Sequence, residues 1–334
     1  MLNVHSAGKV PYLKASPLRQ HSYFDRFKLV ILVILDIVKV ILIILVKILI
    51  LPISVWLRNG PKNIYRKTAL ITGGANGIGK AVALELAECG CNIIIADIDK
   101  SASEKTLEVL QKYDIKSLSY SIDVSNPEDV ENLKEEVEKS IGPVDILINN
   151  AGLMPLASLR EGRPADVKRI VDVNINANFW TIRTFLPGMI QRKIGHIVQI
   201  SSMSALHPIP GAIVYTATKY AVTGLMLALE EELRQEGSKN NIDFTTVHPY
   251  FVSTRLDLMN LLNLRFPAIT AEYTAKEIVK GIIHRKRRVV IPHFDVFLTA
   301  LLPSLPYMVQ WLVRDHILRE PETRIVKDPF VYVS

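Results

Sequence analysis

A short apolar run at residues 68–71 leads directly into Thr72-Gly73-Gly74-Ala75-Asn76-Gly77-Ile78-Gly79, and then into an Ala-rich helical pattern over residues 80–89. This is a strand, a glycine turn and a helix. Glycines in such a turn let the backbone approach a pyrophosphate, which settles at a helix N-terminus where unpaired N–H groups and the helix dipole favour negative charge. Further apolar runs at residues 92–96, 116–122, 144–148, 196–200, 242–247 and 288–291 alternate with helical segments. That alternation is the pattern of βαβ units and a parallel sheet. Ile93-Ile94-Ile95 and Ile146-Leu147-Ile148 are apolar at every position, as strands covered on both faces must be. The expected fold is α/β: a doubly wound parallel sheet of about seven strands with helices on both faces.

Chemistry is carried by Tyr215-Thr216-Ala217-Thr218-Lys219, with Ser202 thirteen residues upstream (215 − 202). A phenol has an unperturbed pKa of about 10 and is a poor base at neutral pH, so a tyrosine that moves protons needs a nearby cation. Lys219 stands one helical turn on and on the same face. Its ammonium favours tyrosinate and brings the phenol toward working pH, which makes Tyr215 a candidate acid/base. Ser202 would then hold the substrate oxygen. A tyrosine four residues before a lysine is common by chance on solvated helices, so the glycine turn upstream gives this pair its weight. Together they describe a nicotinamide-dependent alcohol or ketone oxidoreductase.

The glycines are spaced G-x-x-x-G-x-G, at Gly73, Gly77 and Gly79. This form, followed in order by Asn149-Asn150-Ala151-Gly152, Ser202 and the Tyr–Lys pair, resembles the short-chain dehydrogenase/reductase family, with its Rossmann-type fold, over residues 67–292. The resemblance implies a catalytic set of Asn174, Ser202, Tyr215 and Lys219, in which Asn174 positions a water of the proton relay behind the lysine. It implies cofactor contacts from Gly73, Asn76, Gly77, Ile78 and Gly79 in the turn, from Asp97 closing the second strand, and from Asp123 and Val124 after the third. Asn150, Ala151 and Gly152 after the fourth strand belong to the same set, as do Tyr215, Lys219, Pro249, Val252 and Thr254. An acidic residue at the end of the second strand hydrogen-bonds the adenosine ribose and repels a 2′-phosphate. The expected cofactor is therefore NAD, with NADP as the alternative; Asp99 lies close enough to Asp97 to compete for that role. Residues 249–254 read P-Y-F-V-S-T where the family usually has P-G-x-V-x-T. Tyr250 in place of a glycine leaves the local backbone and the substrate mouth open. His248 reads as a satisfied core histidine, and His207 as an exposed loop residue or a lining of the substrate pocket.

Residues 29–51 are almost entirely Leu, Ile and Val, broken by Asp36, Lys39 and Lys47. As a helix this run is roughly 35 Å long, against a hydrocarbon core of about 30 Å. The three charges share one stripe at 100° per residue, so membrane association is expected while spanning and interfacial placement both stay open. The chain divides into a basic segment (1–28), a hydrophobic membrane-anchor helix (29–57), a linker (58–66), the catalytic domain (67–292) and an apolar C-terminal extension (293–334). The leucines after Thr254 and the apolar stretch 294–313 suit a lid over a lipophilic alcohol.

Leader, Asp97, Pro249-Tyr250 and apolar tail together resemble the membrane-bound branch that contains the type 11 and type 13 17β-hydroxysteroid dehydrogenases and the epidermal retinol dehydrogenases. The resemblance implies oxidation of a retinol-like or 17β-hydroxysteroid-like hydroxyl with NAD, on the endoplasmic reticulum membrane or a lipid droplet, with the catalytic domain in the cytosol. The alternatives are reduction of retinal or a ketosteroid with NADPH, and a noncatalytic membrane-surface scaffold, which the intact catalytic set disfavours. Expected partners are the lipophilic substrate and a membrane or lipid-droplet surface, with a homodimer as the candidate assembly. The formal charge of +7 does not imply nucleic acid, since no RNA- or DNA-binding pattern accompanies it. Cys89 and Cys91, the two cysteines, are too close for a disulfide framework or a zinc site, and no metal site is expected.

Overall fold

The computed structural model of the chain describes residues 23–58, 60–154, 163–209, 211–237, 242–254, 262–264, 266–293, 302–313 and 322–323. It falls into two compact units, Met1–Gly60 and Pro61–Ser334.

The first unit holds α1 (Tyr23–Arg58), a helix of 36 residues. From Val30 to Leu45 its large apolar side chains are all between 42% and 58% exposed, so this stretch presents apolar surface broken by the stripe that carries Asp36 and Lys39. Of the two placements that the sequence left open, spanning finds no support: among the described residues no helix is long and apolar enough to cross a membrane. Asp36 and Lys39 weigh against spanning, since each charge near the middle of a spanning helix costs about 2.5–3.5 kcal/mol. Lys47's side chain and the basic flank carrying Lys9, Lys14 and Arg19 lie outside the described residues.

The second unit is built on a seven-stranded parallel sheet. In chain order its elements are β1 (Thr68–Thr72), α2 (Gly77–Glu88), β2 (Asn92–Asp97), α3 (Lys100–Leu110), β3 (Ser117–Ser121), α4 (Pro127–Ser140) and β4 (Ile146–Asn149). Next come α5 (Pro164–Val171), a π turn (Asp172–Asn176), α6 (Ala177–Arg192), β5 (Gly195–Ile200), α7 (Ile213–Gln235) and β6 (Ile242–Pro249). A two-residue strand β7 (Leu262–Asn263), then α8 (Ala271–Ile283), β8 (Arg288–Ile291), α9 (Tyr307–Val313) and β9 (Glu322–Thr323) complete the chain. The sheet order is β3-β2-β1-β4-β5-β6-β8, and β7 pairs separately with β9.

Side-chain alternation along each strand divides the core into two layers. Ala69 and Ile71 of β1, Ile93 and Ile95 of β2, and Ile146 and Ile148 of β4 face α2 and α8. Their neighbours Leu70, Ile94 and Leu147 face α4, α6 and α7. Both faces of the sheet are thus covered, which is why these strands carry no polar alternation. The chain winds outward from β1 to β3, then returns to place β4 on β1's other side. Where winding reverses, the carboxyl ends of β1 and β4 part and leave a crevice.

The leucine-rich stretch 255–261 and residues 294–301, both assigned to a lid, lie outside the described residues. Beyond them, α9 presents Tyr307, Met308 and Leu312 at 61%, 79% and 61% exposure.

His196 at the start of β5 is fully buried. Its Nε2 lies 2.8 Å from Thr245 Oγ1, which donates its own proton to the Lys286 carbonyl, so His196 Nε2 carries the hydrogen. Burial, with smaller effects of Lys62 and Arg285 and against the pull of Asp243, pushes its pKa down to about 3. Its unfolded value is near 6.5, so between 6.5 and 3 the unfolded chain takes up a proton that the folded chain refuses. Stability is therefore lost as pH falls through that window, on the order of 1.4 kcal/mol per pH unit for this group alone. Thermal melts of His196→Gln, which keeps a donor toward Thr245, are expected to show a shallower loss of Tm between pH 6.5 and 4.5 than the parent.

Candidate active site

The crevice opens into a cavity of about 610 Å³. Its floor is the turn between β1 and α2. Gly77 has φ +56°, in the left-handed region that favours glycine, and a Cβ on Gly79 would stand 2.1 Å from the Gly73 carbonyl oxygen. Asn76 occupies the N-cap position without a side-chain cap bond, and Asn76, Gly77 and Ile78 line the cavity. The first backbone N–H groups of α2 are thus placed where an anion would meet them, and the glycine cradle keeps that approach clear.

The turn is fastened to the neighbouring strand. Thr72 Oγ1 accepts N–H bonds from Asn150 (3.0 Å) and Ala151 (3.1 Å), while Asn150 Nδ2 donates to the carbonyls of Thr72 (3.0 Å) and Gly73 (2.8 Å). Gly152 follows on the cavity wall.

Asp97 ends β2 at the cavity, its two oxygens accepting from the N–H groups of Ala75 (2.9 Å) and Asp99 (3.0 Å). Asp99 caps α3 by accepting from Ala102 at 2.9 Å, which separates the two carboxylates that the sequence left in competition. Asp123 and Val124 line the same end. Burial alone would raise the Asp123 carboxyl, but bonds from the Ser125 hydroxyl (2.6 Å), the Ser125 N–H and Arg169 (2.9 Å) hold it below its ordinary range. Pro249, Val252 and Thr254 close the far side. The described non-glycine residues with positive φ are Arg66, Lys193 and Arg285, so Tyr250 stands where no glycine is required. Its ring meets Phe251 edge-on at 5.1 Å.

At the deep end Ser202, Tyr215 and Lys219 share the cavity wall. Ser202 begins a short 3₁₀ turn, and its Oγ accepts from the Ser204 N–H at 3.0 Å. Lys219 is buried, its Nζ donating to the Ile200 carbonyl at 2.9 Å and lying 5.5 Å from the centroid of the Tyr215 ring. Desolvation pulls its pKa down to about 8. The expectation that the lysine brings the phenol toward neutral pH is corrected: burial pushes Tyr215 up to about 12, and the hydrogen bond with Ser202 offsets only part of it. The resting phenol therefore keeps its proton.

Asn174 lies in the π turn between α5 and α6 and is 1% exposed. Its Oδ1 accepts from the Leu153 N–H (2.8 Å), and its Nδ2 donates to the Leu153 carbonyl (2.9 Å) and to Thr218 Oγ1 (3.0 Å). Its side chain thus ties the loop after β4 to the helix that carries Tyr215 and Lys219. The π turn re-aims one residue inside an otherwise continuous helix.

The sequence model of the short chain dehydrogenase family matches residues 67–260. The chain belongs to that family. Among curated relatives, short-chain dehydrogenase/reductase family 16C member 6 of Bos taurus is 33% identical over 70% of this chain and 75% of its own. Mouse 17-beta-hydroxysteroid dehydrogenase 13 is 31% identical over 70% of this chain and 76% of its own. Estradiol 17-beta-dehydrogenase 11 of Macaca fascicularis is 30% identical over 76% and 84%. The dehydrogenase thus stands in the branch of the type 11 and type 13 enzymes. A Burkholderia phymatum short chain dehydrogenase/reductase solved in complex with NAD shares the fold at TM-score 0.67, with 23% identity over 82% of this chain and 99% of that one.

Several lining residues carry no sequence signal. Arg169 reaches the cavity from α5 and bonds Asp123 from 46 positions away, a meeting that only the fold arranges. Met154, Met203, Ile209, Phe251 and Phe266 give the deep end an apolar wall. His207 is 8% exposed and lines the cavity, so it is not an exposed loop residue. His248 is fully buried.

Gly79→Ala is expected to drive its methyl into the Gly73 carbonyl. The turn must shift to relieve that contact, costing roughly 1–3 kcal/mol of stability and weakening dinucleotide binding at least tenfold. Melting temperature and NADH fluorescence titration check both. Unchanged binding would show that the turn does not hold the pyrophosphate.

Proposed function

We propose that this dehydrogenase oxidises the hydroxyl of a lipophilic alcohol, retinol-like or 17β-hydroxysteroid-like, with NAD. The observation that carries the reading is the meeting of Ser202, Tyr215 and Lys219 at one end of a cavity whose adjoining wall is Met154, Met203, Ile209, Phe251 and Phe266. A hydrocarbon body buried there gains about 25 cal/mol for each Å² removed from water, while the few polar groups fix the reacting oxygen. The relatives named for 17β-hydroxysteroids support the substrate class.

When bound, NAD supplies the hydride acceptor and a positive charge beside the phenol. The Ser202 hydroxyl orients the substrate oxygen, and the Tyr215 oxygen, after giving up its own proton to solvent, takes the hydroxyl proton as the carbon loses its hydride. Lys219 stands over the phenol ring and opposes the burial that disfavours tyrosinate. Asn174, through Thr218 and Leu153, holds the π turn, the loop after β4 and α7 in one geometry. Asp97 presents a fixed carboxylate at the adenosine end, where a 2′-phosphate would be repelled. One observation favours reduction of a ketone or aldehyde as a second reading: a phenol with pKa near 12 is loaded as a proton donor.

The reading includes an anchor. Residues 29–57 hold the protein on an endoplasmic reticulum membrane or lipid-droplet surface, with the catalytic domain in the cytosol. The support is the exposed apolar side chains from Val30 to Leu45, a surface of the kind that lipid covers. Deleting residues 1–57 is expected to release the protein from carbonate-washed membranes; retention would move the anchor elsewhere in the chain.

A panel of lipid alcohols assayed with NAD and NADP on membranes containing the protein tests the reaction. Tyr215→Phe is expected to lower kcat by about 10²–10⁴-fold with NAD binding within a few-fold of the parent, while Lys219→Ala impairs both. Turnover of the phenylalanine variant close to the parent would remove Tyr215 from the mechanism. Asp97→Ser is expected to narrow or reverse the preference for NAD. A parent enzyme more efficient with NADP would exclude Asp97 from cofactor selection.

A further inference from the structure

His248, on the last turn-side residues of β6, has a role beyond filling the core. It is fully buried, and its Nδ1 lies 3.1 Å from the Ser202 carbonyl oxygen, 46 residues away in sequence. A carbonyl only accepts, so the imidazole must donate, and the hydrogen is on Nδ1. Nε2 is then a bare acceptor, and it has no hydrogen-bond partner among the described residues. A side chain needed only for volume would be aliphatic and would leave no buried polar atom unsatisfied. The histidine keeps that orphaned nitrogen together with a donor aimed at one particular carbonyl.

That carbonyl sits where the sheet runs out. The β5–β6 ladder continues as far as the Ser201 N–H, which bonds the Val247 carbonyl at 2.9 Å. Ser202 is the next residue and has left the ladder. Its carbonyl accepts from the Ala205 N–H at 3.0 Å within the 3₁₀ turn and from His248 across the strand gap. Its hydroxyl oxygen is held by the Ser204 N–H. The serine is thus gripped from three directions, and His248 supplies the grip that ties it to the rigid sheet.

We propose that His248 is a positioning residue, which by its Nδ1–H bond to the Ser202 carbonyl keeps the seryl hydroxyl against Tyr215. The inference rests on the dehydrogenase reading above. Burial keeps the ring neutral, its pKa pushed down to about 4 against the pull of the Ser202 carbonyl, with the charges of Arg288 on β8 and Lys219 on α7 acting in the same downward direction. The donor on Nδ1 is therefore available throughout the physiological range.

Asparagine is the informative replacement, because its Nδ2 can occupy nearly the place of the imidazole Nδ1, whereas leucine fills the space and donates nothing. In full-length protein on membranes, His248→Leu is expected to lower kcat at least tenfold with KM for NAD within twofold. His248→Asn is expected to restore kcat to within about threefold of the parent. Leucine and asparagine variants that fall equally, or a leucine variant that keeps its kcat, would overturn the positioning role. ¹⁵N spectra of histidine-labelled protein provide a readout that does not depend on turnover. One imidazole, absent from the His248→Asn spectrum, is expected to show Nδ1 protonated and to hold that tautomer from pH 5.5 to 8. A His248 protonated on Nε2 would refute the contact even in an active enzyme. A parent that shows this tautomer yet oxidises no alcohol and reduces no carbonyl would instead sink the dehydrogenase reading, and the catalytic role of His248 with it.

Discussion

The clasp between Thr72 and Asn150 is the constraint on which the rest of the site depends. A parallel sheet that reverses its winding between β1 and β4 leaves the two strand ends diverging, and backbone groups there lose their ladder partners. One threonine hydroxyl and one asparagine amide replace those partners, with four hydrogen bonds between 2.8 and 3.1 Å. Asn150 was expected as a cofactor contact. It lines the cavity, but its amide is already committed to the carbonyls of Thr72 and Gly73, so its evident work is to hold the glycine turn in shape. Everything downstream is referenced to that turn: the start of α2, the Asp97 carboxylate bonded to Ala75, and the Gly152 loop beside Asn174.

Burial governs the chemistry at the other end of the cavity. A tyrosine and a lysine one helical turn apart on a solvated helix would titrate near their ordinary values. Here both lie under the cavity wall, and desolvation drives them toward their neutral forms, the phenol up to about 12 and the ammonium down to about 8. Their proton affinities move apart, so the resting pair stores its proton on the phenol. Ser202 supplies the one hydrogen bond that favours tyrosinate, so the position of that serine affects the acid/base group as well as the substrate oxygen. This is why the groups that hold Ser202 from behind bear on the reaction.

The site is assembled on elements of unequal rigidity. Ser202 and His248 extend from central strands of the sheet, and Tyr215 and Lys219 from a helix of 23 residues, whereas Asn174 sits in a π turn. Such a turn frees a carbonyl from its ordinary helical partner, and Asn178 Nδ2 donates to the Asn174 carbonyl at 2.6 Å. That bond, with the Asn174 bonds to Leu153 and Thr218, makes the irregular turn a fully satisfied junction of three segments. A polar network buried to this degree specifies geometry because any misplaced member would leave an unsatisfied group.

Much of this was legible in the chain. Fully apolar runs required strands covered on both faces, the run-to-helix alternation required parallel strands, and seven runs became the seven strands of one sheet. The glycine turn, Asp97, Ser202, Tyr215 and Lys219 were identifiable because each is fixed by local spacing or by its place at a strand end. Sequence favoured Asp97 but kept Asp99 as a rival, since two carboxylates two residues apart are told apart only by which one the following helix recruits as its cap. Nor could it find Arg169, or the buried state of His207, because those depend on chain segments that meet only after the sheet has formed. The direction of the Tyr215 shift reversed for the same reason: a sequence shows the neighbouring charge but not the burial that outweighs it. The residue types and their order were therefore set by the sequence, while proton affinities and cross-chain contacts were decided by the tertiary structure, because desolvation and packing arise only between parts of the chain that folding brings together.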